Sequence, residues 1–252
     1  MTGSVRLDRA LVEAGLARSR AQASEAVRDG RVRVDGVVAT RPAQLVGRGN
    51  ALDVEGADHY VSRAAHKLLG ALAGSGITVP PRVLDAGAST GGFTQVLLEA
   101  GAQRVYAVDV GHDQLVRTLR DDPRVVVRER LNLRDLTLAD LDGEAVDLVV
   151  GDVSFISLTL LLAPLFGVLN PEGGALLLVK PQFEVGRAGL DDRGVVRNDA
   201  LRERAVASVV AAAAALGRVP AWRGESALPG ESGNREYFVH FVPAASLVGG
   251  AG

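Results

Sequence analysis

The chain of 252 residues contains no cysteine, so disulfide scaffolds, thiolate metal sites and cysteine nucleophiles are excluded. Its four histidines are scattered without metal-ligand spacing, and no metal site is predicted. No apolar run reaches the roughly 20 residues needed to span a bilayer. The N-terminus lacks the apolar core of a secretory signal. We therefore expect a cytoplasmic protein without a membrane segment.

Lysine is almost absent as well. Of 28 basic residues only Lys67 and Lys180 are lysine, and the remaining 26 (28 − 2) are arginine. Arginine stays protonated in proteins, whereas the amine of a lysine can lose its proton at a suitable site. The bias therefore suggests that positions 67 and 180 require an amine. The alternative is that the composition has shifted from lysine to arginine and that two lysines remain by chance. Composition alone favours this alternative.

The bulk composition is that of an ordinary globular protein, with 47% hydrophobic and 23% charged residues. The length suits one large domain, or a medium domain with a small partner. A net charge of −2 argues against a uniformly basic nucleic-acid binder. Residues 1–50, however, hold nine arginines against five acids, a local charge of +4. The basic residues are thus concentrated at one end of the chain.

This basic end has the pattern of a small α+β unit. Leu7, Leu11, Val12 and Leu16 repeat at helical spacing, and a second helix is predicted over 19–29 with Ser19 as its N-cap. The alternation over 31–38 predicts a hairpin that turns at Asp35-Gly36. Clustered arginines suit RNA phosphates, which fix position without reading sequence. The candidates are Arg6, Arg18, Arg20, Arg31, Arg33 and Arg41, although any single one could belong to a solvated face.

Three strings in this region carry a resemblance to a known module. They are Arg6-Leu-Asp-Arg-Ala-Leu-Val, Gly15-Leu-Ala-Arg-Ser-Arg-Ala-Gln-Ala and Gly30-Arg-Val-Arg-Val-Asp-Gly. They resemble the S4 RNA-binding module and cover about one fifth of the chain. The resemblance implies an RNA-binding domain, for which we set the bounds 1–60 including a linker at 50–62.

From Arg82 onward, short apolar runs alternate with helical segments, which indicates a doubly wound parallel sheet of the α/β class. Strands are predicted to begin near 82, 104, 124, 146 and 175. The final run, 236–242, is interpreted as an edge segment. We expect this second domain to cover 61–245 and a flexible, glycine-rich tail to cover 246–252.

The first of these strands ends in a glycine-rich turn between two acids, Asp85 and Asp109. Ligands of open α/β sheets bind at the carboxyl ends of the strands, and Asp109 is placed to accept hydrogen bonds from ribose hydroxyls. An acid at 85 would repel a pyrophosphate but suits an ammonium or sulfonium group, which favours S-adenosylmethionine over NAD. Asn132 and Asp135 are candidates for the adenine pocket. The other predicted contacts are Gly87, Ala88, Ser89, Gly91, Gly92, Phe93 and Val110.

Four polar residues are predicted to meet at the same rim. Asp152 and Lys180 end the fourth and fifth strands, and Glu236 opens the last one. Lys67 lies before the first strand, on a helix that could pack across the opening. A lysine paired with an acid at a strand end can be purely structural, but this explanation fits four converging residues poorly.

Lys67, Asp152, Lys180 and Glu236 match the Lys-Asp-Lys-Glu tetrad of the FtsJ-like ribose 2′-O-methyltransferases. The long strings around Asp85, Asp152, Lys180 and Glu236 look like the TlyA family in particular. The resemblance implies a Rossmann-like S-adenosylmethionine-dependent methyltransferase sheet that follows the S4-like domain in the chain. It also implies methylation of cytidine 2′-hydroxyls in 16S ribosomal RNA, 23S ribosomal RNA or both, with no obligate protein partner.

Within that framework, Lys180 is the candidate general base, with Lys67 as a neighbouring cation that favours the neutral amine. Asp152 and Glu236 would orient the two amines, and Arg63 together with Lys67 could hold a substrate phosphate. Three alternatives remain open: a haemolysin-type membrane-active protein, a non-catalytic S4-type ribosome-binding factor and a small-molecule methyltransferase. The absence of a long apolar span, the complete tetrad and the basic N-terminal end, respectively, argue against them.

Overall fold

The structure is a computed structural model that describes residues 4–17, 19–47, 49–55, 59–230 and 232–247. The chain divides between Ser62 and Arg63 into two compact units. Arg18, one of the predicted RNA contacts, lies outside the described residues. In the ranges that are described, no helix is long and apolar enough to cross a membrane.

In its described residues, the N-terminal unit contains two short helices and five short strands. Strands β1 and β4 pair antiparallel, and β2 is the centre of a second antiparallel sheet, between β3 and β5. The fully buried Leu7, Leu11 and Val32 belong to its core. The elements are β1 (Val5–Arg6), α1 (Leu7–Glu13), α2 (Arg20–Arg28), β2 (Val32–Val34), β3 (Val37–Val38), β4 (Leu45–Val46) and β5 (Leu52–Val54).

Local side-chain chemistry explains where these elements begin and turn. Ser19 caps α2 by accepting a hydrogen bond from the Gln22 amide at 3.2 Å, as predicted. Asp35 and Gly36 both have positive φ, 51° and 81°, which is the turn that joins tight hairpins. The linker prediction was wrong for Leu52–Val54, because these residues form β5 and pair with β2. A short strand whose partner lies 20 residues away leaves only a weak local signal.

The second unit is built on a seven-stranded sheet with the order β11-β12-β10-β9-β6-β7-β8. Five of these strands, from β8 to β10 across the sheet, run parallel, and β12 runs antiparallel to both β10 and β11. The elements are α3 (Ala64–Ser75), β6 (Arg82–Ala86), α4 (Gly92–Glu99), β7 (Arg104–Val108), α5 (Arg117–Arg120), β8 (Val125–Arg128), β9 (Val146–Gly151), α6 (Leu162–Gly167), β10 (Leu169–Val179), α7 (Pro181–Glu184), α8 (Asp199–Ala215), β11 (Arg218–Glu225) and β12 (Tyr237–Pro243).

The central strands are buried on both faces, which is why they read as continuous apolar runs in the sequence. The parallel-sheet prediction is confirmed. The edge assignment of the last run was wrong: β12 lies between β10 and β11, and Phe238, Val239 and Phe241 are fully buried. The edge strand on this side of the sheet is β11. Its burial alternates, and its Pro220 weakens the strand pattern in the sequence. The predicted tail begins inside a short 3-10 turn at Ala244–Leu247, and 248–252 lie outside the described residues.

The strand order reverses at β6. From β6 the chain adds β7 and β8 on one side of the sheet, and then β9 and β10 on the other. The carboxyl ends of these parallel strands meet at one rim, which is where open α/β sheets bind ligands. Because β12 is antiparallel and pairs Tyr237 with Val179, its first residues lie at this rim as well.

Gly87 follows β6 at the point of reversal, with φ +85°. A Cβ atom there would lie 2.8 Å from the backbone oxygen of Asp152, which is closer than real Cβ contacts come. The Asp152 amide donates to the Ala86 oxygen at 3.1 Å, so the two strand ends are already held together. Glycine at position 87 therefore sets how closely the ends of β6 and β9 approach.

We expect Gly87→Ala to destabilise the protein more than Gly101→Ala does. Both residues have positive φ, but a Cβ at Gly101 would meet no atom within 4 Å. Gly101→Ala should cost about 1–2 kcal/mol of unfolding free energy from the left-handed backbone alone. Gly87→Ala should add about 1–3 kcal/mol for the clash with a backbone atom. Urea unfolding of the two variants measures the difference, and equal losses would contradict the close approach.

Candidate active site

The structure brings the four predicted rim residues together as two amine–carboxylate pairs. Lys67 Nζ donates to Glu236 Oε2 at 2.6 Å. Lys180 Nζ lies 2.6 Å from Asp152 Oδ1, close enough for an ion pair although outside hydrogen-bond geometry, and donates to Ser154 Oγ at 2.7 Å. Each acid therefore holds one amine.

These four side chains are largely withdrawn from solvent, with exposed fractions of 12% and 2% for Lys67 and Glu236 and 10% and 14% for Lys180 and Asp152. Charges lose hydration when they are buried, and a buried pair often gains little stability for the fold. Such groups at the rim of a sheet are therefore better explained by function than by stability. Each pair joins one basic and one acidic side chain.

The short helix α7 adjoins both pairs, because Lys180 precedes it and Gln182 within it contacts Glu236. Gln182 Nε2 donates to Glu236 Oε1 at 2.9 Å, while Gln182 follows Lys180 by two residues. The Phe183 ring packs at 5.4 Å from the ring of Phe155. Sequence reasoning gave these residues no role, although Val179-Lys-Pro-Gln-Phe-Glu and Asp152-Val-Ser-Phe were among the strings that carried the family resemblance.

Asp85 is fully buried under the glycine-rich turn. Its Oδ2 accepts a hydrogen bond from Thr94 Oγ1 at 2.6 Å, and Oδ1 is buried with no hydrogen-bond partner in the described part of the chain. Burial raises the pKa of Asp85 to about 7. The Thr94 bond opposes this rise, and the nearby charges of Asp152 and Asp109 add to it.

Asp109 fastens the two turns that follow β6 and β7. Its Oδ2 accepts from the Ser89 amide at 2.9 Å and its Oδ1 from the Gly111 amide at 2.7 Å. Ser89 has a positive φ of 48°, and Gly91, with φ 102°, precedes α4. The other predicted cofactor contacts of this turn are Gly87, Ala88, Gly92 and Phe93, all of which lie on the same β6–α4 connection or at the start of α4.

The remaining predicted cofactor contacts lie near the end of β7. Val110 is exposed directly after Asp109. The Leu131 amide donates to the Asp109 oxygen at 3.2 Å, which brings Asn132 next to this strand end. The Asn132 side chain accepts from the Arg134 amide at 3.1 Å, and Asp135 closes the same short turn. The structure thus gathers this set at the reversal point of the sheet.

In the N-terminal unit, two predicted RNA contacts meet at one buried carboxylate. Arg6 and Arg20 lie 2.7 and 3.1 Å from Asp8, and both guanidinium groups remain about half exposed. Hydrogen bonds from Arg6, reinforced by Arg20, hold the pKa of Asp8 well below its usual range. The other candidates are not part of this cluster: Arg31 pairs with Asp29 at 3.0 Å, Arg33 points to the Gly36 oxygen, and Arg41 is exposed.

Arg63 belongs to the other unit. It precedes α3 as its N-cap residue and is exposed, four residues before Lys67. Residues four apart along a helix lie on the same face. Arg63 is therefore placed on the side of α3 from which Lys67 reaches Glu236.

Comparison with known proteins now decides the family. FtsJ-like methyltransferases match residues 60–242, and the S4 domain matches residues 5–52. The 16S/23S rRNA (cytidine-2′-O)-methyltransferase TlyA of Mycobacterium tuberculosis is 50% identical over 95% of this chain and 90% of its own length. The chain belongs to the TlyA family of FtsJ-like methyltransferases. The predicted family, the S4 domain and the methyltransferase sheet are confirmed.

Two solved structures share the fold of this chain. A candidate hemolysin from Streptococcus thermophilus is 37% identical, covers 96% of this chain and 90% of its own, and superimposes with a TM-score of 0.73. An S-adenosylmethionine dependent methyltransferase from Mesorhizobium loti is 15% identical, covers 70% and 97% of the two chains, and has a TM-score of 0.52. At that identity the likeness concerns the fold alone, which is that of S-adenosylmethionine-dependent methyltransferases.

The raised pKa of Asp85 predicts a specific dependence of stability on pH. Between the unfolded pKa near 4 and the folded value of about 7, the folded protein holds a proton that the unfolded chain has lost. The contribution of Asp85 to the free energy of unfolding is therefore fully present below pH 4 and falls between pH 4 and pH 7. Above pH 7 it stays at its low value. Asp85→Asn cannot ionise and should lack this decline, which amounts to as much as about 4 kcal/mol.

Chemical denaturation of the wild type and Asp85→Asn at a series of pH values measures the effect. Thr94→Val is the matched variant, because it removes the hydrogen bond that lowers the pKa of Asp85. In that variant the decline should extend to higher pH than in the wild type. Parallel stability curves for the wild type and Asp85→Asn would contradict a buried, proton-holding Asp85.

Proposed function

We propose that this TlyA-family chain transfers a methyl group from S-adenosylmethionine to the ribose 2′-hydroxyl of cytidine in ribosomal RNA. The observation that carries the proposal is the pair of buried amine–carboxylate contacts at the rim where the glycine-rich turn ends. The reaction named for the Mycobacterium tuberculosis relative supports it. Whether 16S RNA, 23S RNA or both are substrates is part of the test.

The residues around the glycine-rich turn fit S-adenosylmethionine. Asp85 is a buried acid with one unpartnered oxygen, and a cationic ligand nearby would favour its charged form. Gly87 leaves no room for a side chain between the ends of β6 and β9. Asp109 would hold the ribose hydroxyls, and Asn132 would line the adenine pocket.

When bound, S-adenosylmethionine supplies an electrophilic methyl group on a sulfonium. The chain then has to hold the ribose hydroxyl in line and accept its proton. Positioning alone can contribute about 7–11 kcal/mol toward the barrier of well-oriented reactants. Lys180 is the proton acceptor in our proposal: its amine, in the neutral form, takes the hydroxyl proton at the end of β10 and becomes the ammonium that Asp152 and Ser154 hold. Lys67, held by Glu236, supplies positive charge beside the substrate.

An exposed aromatic ring next to Lys180 suits an RNA substrate. Phe155 is 92% exposed and packs on Phe183, while Lys180 Nζ lies 6.0 Å from the centre of the Phe183 ring. Proteins that act on single-stranded or unstacked nucleotides use aromatic side chains to stack the bases. A base stacked on Phe155 would place its ribose near the Lys180 amine.

The function is tested with purified protein, labelled S-adenosylmethionine and each ribosomal subunit, followed by mapping of 2′-O-methyl groups. We expect Lys180→Arg, which keeps the charge but removes the base, to reduce methyl transfer by at least about 100-fold. Binding of S-adenosylhomocysteine, measured by calorimetry, should stay close to the wild-type value and controls for folding. Full transfer by Lys180→Arg would leave Lys180 only an electrostatic role.

The Arg6–Asp8–Arg20 cluster predicts a phosphate contact in the S4 unit. Arg20→Gln should weaken RNA binding evenly across sequences and lower the slope of log affinity against log salt by about 1. Arg9→Gln is the control, because Arg9 is also exposed on this unit but belongs to a separate pair with Glu13, outside the Arg6–Asp8–Arg20 cluster. Filter binding over a salt series measures both. An unchanged slope in Arg20→Gln would remove this residue from the RNA contacts.

A further inference from the structure

Residues 152–158 follow β9 and lead into a 3-10 turn. Within this segment, Phe155 has an unfavourable backbone conformation. Its φ of 65° lies in the left-handed region that bulky side chains rarely adopt, and its ring is almost fully exposed. Backbone strain of this kind persists only where surrounding contacts enforce it, and it concentrates at functional sites. Some contact must therefore hold this segment in place.

Glu184 provides that contact. Its Oε2 accepts a hydrogen bond from Ser157 Oγ at 2.6 Å, and its Oε1 accepts one from the Leu158 amide at 2.7 Å. Both carboxylate oxygens are thus used on residues two and three positions after Phe155. Hydrogen bonds to an ionised carboxylate are about twice as strong as neutral ones, so the segment is firmly fastened to α7.

Helix α7 also carries or adjoins the other residues around the Lys180 amine. Lys180 precedes α7, Gln182 bonds to Glu236, and Phe183 supports the Phe155 ring. A shift of the segment away from α7 would therefore move Phe155 relative to Lys180. It would also move Asp152 and Ser154, the two partners of the Lys180 amine.

We propose that Glu184 is a positioning residue for methyl transfer: it holds the segment 152–158 on α7, so that Phe155 is presented beside Lys180. Glu184 touches neither the methyl group nor the hydroxyl. The effect on catalysis rests on the proposed RNA substrate, but the effect on the segment does not.

The first measurement is amide hydrogen exchange, which needs no substrate. Glu184→Ala should speed exchange in residues 153–158 and leave the turn at 86–92 unchanged. Glu203→Ala is the matched control, because Glu203 also uses both oxygens, on Arg223, and joins α8 to β11 instead. It should leave exchange in 153–158 as in the wild type. Unchanged exchange in Glu184→Ala would overturn the proposal.

The second measurement is methyl transfer to ribosomal RNA. Glu184→Ala should lower kcat/KM by about 10- to 100-fold, the loss expected when a reacting geometry shifts by about 1 Å. Binding of S-adenosylhomocysteine should remain near the wild-type value. Glu184→Gln should recover most of the activity, since its amide oxygen can still accept from Leu158 and its amide nitrogen can donate to Ser157. Ser157→Ala, which removes one of the two bonds, covers the case in which Glu184→Ala does not fold, and it should show a smaller loss.

A double-mutant cycle separates positioning from general destabilisation. If Glu184 acts in part through Phe155, then Glu184→Ala should cause a smaller loss of methyl transfer in the Phe155→Ala background than in the wild type. Additive losses, or wild-type kcat/KM in Glu184→Ala, would overturn the proposal. If the wild type transfers no methyl group to RNA, the proposed function fails, and hydrogen exchange still decides whether Glu184 holds the segment.

Discussion

Strand β12 runs antiparallel to β10, and this reversal brings Glu236 to the rim at which the parallel strands end. In a sheet with seven parallel strands, the first residue of the last strand would lie at the opposite side. The pairing of Tyr237 with Val179 instead sets Glu236 beside the residue after Val179, which is Lys180. Lys67, Gln182 and α7 are then arranged around Glu236 by hydrogen bonds. The proposed catalytic set thus depends on the direction of one strand.

The scarcity of lysine has a structural counterpart. Both lysines lie in buried pairs with carboxylates, whereas the described arginines pair mostly at the surface or with backbone oxygens. An ammonium is a compact donor that can serve partners in three directions, as Lys180 serves Asp152 and Ser154. A guanidinium carries its donors in one fixed plane, so an arginine is not equivalent to a lysine at these positions. The geometry therefore favours a requirement for an amine over a chance survival of two lysines.

Several features could be predicted from sequence because they depend on local chemistry. Ser19 as an N-cap, the Asp35-Gly36 turn and the apolar parallel strands all follow from residue type and period. The convergence of Asp152 and Lys180 followed from the rule that parallel strands end together. The position of β12 and the pairing of β5 could not be predicted, because they depend on partners distant in the chain. The roles of Gln182 and Glu184 were missed for the same reason, since each acts on a residue at least 26 positions away.

The segment 152–158 is hydrogen-bonded to α7, and Lys180 directly precedes that helix. This arrangement limits which substitutions the family can accept at either stretch. A change at Phe155, Ser157 or Leu158 alters the surroundings of α7, and a change in α7 alters the display of the segment. Neither stretch is free to drift alone, so acceptable substitutions must arise in compatible combinations. We therefore expect the two stretches, although separated by α6 and β10, to vary together among relatives.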